Sequence, residues 1–94
     1  MTTITGTMAT DRPERYAKQL VSHWAARGPA TEEDGATVQR WDNGNVIVLR
    51  PVEGALRVEV SVGPDGDAER FAQVVKDHLE RFGSRDELHV VWDD

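Results

Sequence analysis

The sequence predicts an α+β domain of two layers, with two helices packed on one face of a five-stranded mixed sheet. Three observations lead there. Two stretches repeat apolar residues at steps of three and four, Tyr16, Leu20 and Trp24 in one and Phe71, Val75 and Leu79 in the other, which is the period of a helix with one buried face. Other stretches alternate apolar and polar residues with the period of a half-buried strand. Two glycine turns, Asn43-Gly44 and Glu53-Gly54, join the middle strands into a meander. The order is strand, helix, three-stranded meander, helix, strand, in a single domain over residues 1–94.

The first strand rests on Ile4, Gly6 and Met8 alternating with Thr3, Thr5 and Thr7. Asp11-Arg12-Pro13-Glu14 then reads as a helix start, with Asp11 as cap and Pro13 in the first turn, where its missing N–H costs nothing. The apolar period runs to Gly28-Pro29, so the first helix is expected over roughly residues 12–27. Thr31-Glu32-Glu33-Asp34-Gly35 carries no period and reads as a surface loop.

Asn43-Gly44 as the centre of a two-residue type I′ turn sets Trp41 opposite Val46, Gln39 opposite Val48 and Thr37 opposite Arg50. A second two-residue turn at Glu53-Gly54 sets Leu49 against Val58 and Ile47 against Val60, an apolar face shared with Val38. Gly63-Pro64-Asp65-Gly66-Asp67 leads into the second helix, which Gly83 ends. Leu88, Val90 and Trp92 form the last strand.

Composition excludes much chemistry. With no cysteine, disulfides, thiolate nucleophiles and thiolate metal sites are ruled out. A net charge of -6 argues against nucleic acid and anionic membrane as partners. No stretch reaches the roughly 18 apolar residues of a spanning helix, and Met1–Thr5 lacks the features of a secretory signal, so a cytoplasmic location is expected. The glycines stand singly, without a phosphate-binding loop, and no serine sits in a nucleophile elbow, so no catalytic residue is assigned and no cofactor is expected.

Two places remain. The expected register leaves Trp41, Val46 and Val48 on the sheet face away from the helices, rimmed by Arg50 and Arg57, an apolar patch suited to a second copy, a protein partner or a small anionic or aromatic ligand. His23 and His78 lie on or beside the two apolar stripes with Tyr16 nearby, where they either pack at the core edge or approach one another as metal ligands or as acid and base.

Ala9-Thr10 followed by Arg15-Tyr16-x-x-Gln19-Leu20-x-x-His23, and His78-Leu79-Glu80-Arg81-Phe82 followed by Arg85-x-Glu87-Leu88 and Trp92, resemble the bacterial domain of unknown function family 2218 over nearly the whole chain. The resemblance implies a compact bacterial domain. Similar domains also occur joined to siderophore-interacting flavin reductases, which implies a link to iron or siderophore handling. The expected function is a non-enzymatic binding or accessory module, with a homodimer as one of its forms. The alternative is a metal-dependent or histidine-based enzyme using His23 and His78.

Overall fold

The computed structural model describes residues 3–93; Met1, Thr2 and Asp94 lie outside the described residues. Strand β1 (Thr3–Ala9) follows the threonine alternation, with Gly6 and Met8 buried and the threonines on the opposite face. Helix α1 (Pro13–His23) opens on its proline and buries Tyr16, Ala17, Leu20 and Val21. It stops at His23, short of the expected end, and Ala25–Arg27 tightens into a 3₁₀ turn. Gly28 is extended rather than left-handed, and its missing side chain leaves room for the carbonyl of Arg40.

The segment expected to be a loop holds a strand, β2 (Ala30–Glu33). Asp34 and Gly35 have φ of 51° and 80°, the paired positive values of a two-residue type I′ turn, which Asp-Gly favours. That turn joins β2 to β3 (Ala36–Arg40), with Glu33 opposite Ala36.

The next turn differs from expectation by one residue. The Trp41 amide donates to the Asn45 carbonyl (2.8 Å), the Gly44 amide to the Trp41 carbonyl (3.1 Å), and Gly44 takes a φ of 93°. The loop is therefore Asp42-Asn43-Gly44, three residues closed by a glycine at positive φ. Strand β4 (Val46–Val52) pairs Ile47 with Gln39 and Val48 with Val38. Because side chains alternate faces, this single step turns Gln39 and Trp41 toward the helices and Val38 away from them. The second turn is the expected one: β5 (Ala55–Ser61) sets Val58 against Leu49 and Val60 against Ile47.

Helix α2 (Ala68–Phe82) is capped by Asp67, whose carboxylate accepts from the Arg70 amide at 3.2 Å. It buries Phe71, Val75 and Leu79 against the sheet. Strand β6 (Val90–Trp92) completes a six-stranded sheet of order β2-β3-β4-β5-β1-β6. The fold is the expected α+β packing of two helices on one sheet face, with two differences: β2 adds a sixth strand, and every neighbouring pair is antiparallel. The α2 crossover skips a strand, so β1 slots between β5 and β6 and opposes both.

On the outer face, both guanidinium nitrogens of Arg40 donate to Glu33 (2.6 and 3.0 Å), and the Thr31 hydroxyl donates to it as well (2.6 Å). These bonds, Arg40's first, lower the Glu33 pKa from 4.5 to about 2. A carboxylate that binds protons more weakly folded than unfolded stabilises the fold above its unfolded pKa. That contribution is lost as pH falls toward about 2. Arg40→Gln is expected to return the Glu33 midpoint toward the ordinary carboxylate range, as followed by NMR of its side-chain carboxyl carbon; an unmoved midpoint would contradict the assignment to Arg40.

Candidate functional site

Gln39 organises the region beside the helices. It is fully buried, yet every polar group of its amide is used. Its nitrogen donates to the carbonyls of Trp24 (2.8 Å) and Gly28 (3.0 Å), and its oxygen accepts from the indole N–H of Trp41 (3.1 Å). Carbonyls only accept and an indole only donates, so only one orientation of the amide satisfies all three partners. One side chain thus ties the end of α1, the 3₁₀ turn and the tip of β3 together.

Around it runs a connected series of rings. Phe71 meets Trp41 at 5.0 Å between centroids, Trp41 meets Trp24 at 5.1 Å, Trp24 meets His78 at 4.6 Å, and His78 meets His23 at 4.9 Å. Phe82 closes the far end, 5.8 Å from His23. Three of these five pairs are edge-to-face, an arrangement that aromatic quadrupoles favour, and the two involving His78 are tilted. His23 is exposed, while Trp24, Trp41, His78 and Phe82 are half-buried, so ring edges and faces remain open to solvent.

At the tryptophan end these rings form a groove of about 320 Å³, lined by Trp24, Trp41, Phe71 and Val74 with Arg27 and Arg70. The Arg27 guanidinium lies 5.1 Å from the Trp41 ring centroid, a cation–π contact. Among the described residues neither Arg27 nor Arg70 forms an ion pair. Asp67, also in the lining, is occupied as the helix cap.

The patch expected on the outer sheet face is altered by the register. Val46, Val48, Arg50 and Arg57 lie on that face, but Trp41 has moved to the helix side, because the three-residue loop shifts β3 by one position. The two arginines left behind are engaged by the protein. Arg50 donates to the Asp34 carbonyl, and Arg57 to the Thr7 hydroxyl and the Asp93 carboxylate. The Asp93 pKa is lowered by Arg57 and then by Thr5.

His23 and His78 are brought together, as their place on the stripes anticipates. His78 Nδ1 lies 2.8 Å from the Val74 carbonyl, which can only accept, so Nδ1 is the donor. Among the described residues no group of three His, Cys, Asp or Glu side chains is arranged to hold a metal. Tyr16 stands about 10 Å along α1 from His23, and its hydroxyl donates to Asp86 at 3.3 Å instead. A larger concavity, about 600 Å³, separates α1 from the β2–β3 hairpin, but Glu14, Glu32 and Lys18 give it mixed charge and no aromatic ring lines it.

From the sequence, Trp24 counts only as a helix-stripe residue and Gln39 only as the register partner of Val48, and neither Arg27 nor Arg70 is assigned to a site. The signal available was the two-residue spacing of Gln39 and Trp41, which puts them on one strand face, whichever face that is.

The sequence profile of the family described as "Uncharacterized protein conserved in bacteria (DUF2218)" matches residues 5–93. The chain belongs to this family. In this DUF2218 chain the groove is built from α2, the segment just after α1 and the β3–β4 turn, and the residues that carry the resemblance, Gln19, His23, His78 and Phe82 among them, lie on the two helices. No curated protein matches the chain. The fold is similar to the NMR structure of PA4090 from Pseudomonas aeruginosa, with a TM-score of 0.71 and 21% identity over 99% of this chain and 96% of that one. Among the described residues no helix is long and apolar enough to cross a membrane.

Proposed function

We propose that this DUF2218 domain is a binding module whose aromatic groove holds a flat, anionic ligand. The observation that carries this reading is the pair Arg27 and Arg70, without ion-pair partners among the described residues and set beside two tryptophans, in a chain of net charge -6. Ring faces stack a planar ligand, and guanidinium groups supply charge-assisted hydrogen bonds to its acid group. In this reading His23 and His78 extend the aromatic wall, with His78 Nε2 as a further polar contact.

The iron and siderophore context implied by the family selects the first probe. 2,3-Dihydroxybenzoate, alone and as its ferric complex, is a flat aromatic anion of the right class. Binding is expected to quench the fluorescence of Trp24 and Trp41, and Arg27→Ala with Arg70→Ala is expected to weaken it at least tenfold while the fold is kept, since both arginines are exposed. Equal affinity for wild type and double variant, or no quenching at millimolar probe, would reject the reading.

A further inference from the structure

A second basic site lies at the other end of the α1–α2 seam. Arg12 and Arg15 from the start of α1 and Arg85 from the turn after α2 surround a pocket of about 300 Å³, floored by Tyr16 and Phe82. Three arginines and a single carboxylate, Asp86, line it. That carboxylate accepts the hydroxyl of the buried Tyr16 at 3.3 Å. Arg12 reaches only the fully solvated Asp11, at 4.0 Å, and among the described residues Arg15 and Arg85 have no ion pair.

This arrangement is unusual in an acidic chain. With carboxylates outnumbering cations 17 to 11, three arginines gathered round one pocket repel one another unless an anion joins them. Three positive charges against Asp86, and Asp11 beside Arg12, leave a net positive charge, which suits the negative charge that a phosphoryl group carries on both sides of its second pKa of about 6. Guanidinium forks also fit phosphate oxygens in pairs.

We propose that this pocket binds the phosphate group of a phosphate monoester. The proposal goes beyond the aromatic groove and does not depend on it. Phe82 stands between the two, lining the pocket and lying 5.8 Å from the His23 ring.

The test is an NMR titration of the intact chain with inorganic phosphate and then phenyl phosphate, with acetate as the comparison. Phosphate is expected to move the amide and side-chain signals of Arg15, Gln19 and Arg85 while those of Arg27 and Arg70 stay still. Arg15→Gln with Arg85→Gln is expected to raise the phosphate Kd at least tenfold with the melting temperature unchanged. Three results would overturn the proposal: phosphate moving neither set, acetate binding as tightly, or the double variant binding phosphate as well as wild type. Dihydroxybenzoate quenching, measured on the same double variant, reports on the aromatic groove alone, so either site can fail without the other.

Discussion

Replacing Gln39 with leucine is expected to destabilise the domain by about 3 kcal/mol, a large share of what a chain of this size possesses. Leucine fills similar space and removes no apolar contact. Its cost is electrostatic: the Gly28 carbonyl and the Trp41 indole N–H lose their partner together, and the Trp24 carbonyl keeps only the Arg27 amide at 2.9 Å. Each buried polar group left unpaired costs about 1–3 kcal/mol. The melting temperature is expected to fall by more than about 10 °C. Gln39→Glu tests the same amide differently, since the introduced carboxylate, once ionised, faces two carbonyl oxygens. Its folded pKa is then raised, so that variant is least destabilised at acid pH and loses stability as pH rises through the folded value. A leucine variant that unfolds at the wild-type urea midpoint would contradict this account of the site.

Gly28→Ala is expected to cost about 2–3 kcal/mol, for a steric reason. A methyl group there would clash with the Arg40 carbonyl oxygen, a backbone atom that no rotamer change can move aside. The strand or the connection must shift, and the bonds from Gln39 to Trp24 and Gly28 shift with it. Gly28→Ala and Gln39→Leu strain the same joint, so their costs are expected to sum to less than additive in a double-mutant cycle. Gly35→Ala supplies the contrast. Nothing lies within 4 Å of that position, so only its φ of 80° is strained, with an expected cost of about 1 kcal/mol. Urea unfolding midpoints of the three variants, if they ranked Gly35→Ala as the most damaging, would overturn this reasoning.

Much of the fold is legible in the sequence because period and turn chemistry agree. The alternation of Leu56, Val58 and Val60, with Glu53-Gly54 before it, places Leu49 against Val58 and Ile47 against Val60 as found. Both helices follow from their stripes. The candidate site was less legible, and the reason is one residue at Asn43-Gly44. Asn-Gly suits the centre of a two-residue turn, but Gly44 also suits the last place of a three-residue loop, where it accepts positive φ. Asn43 supports the longer loop by accepting the Asn45 amide on its side chain. Local propensity does not separate the two loops; the packing of Trp41 against Trp24 and Phe71 does, and that contact joins residues far apart in sequence. β2 was missed for a simpler reason. Ala30-Thr31-Glu32-Glu33 is an edge strand with no buried apolar row, so it shows no alternation, and Asp34-Gly35 was its only mark.

The position of β1 also governs how the chain comes together. Its neighbours on the two sides are remote: Arg57 donates to Thr7 across a separation of 50 residues, and Thr5 donates to Asp93 across 88. The hairpins from β2 to β5 close over short turns and can assemble early, but β1 has nothing to pair with until β5 exists, and β6 has no edge to join until β1 is in place. A chain leaving the ribosome therefore carries β1 unpaired until β5 has emerged. On this topology the sheet's last edge is expected to be stitched on after the hairpins have formed.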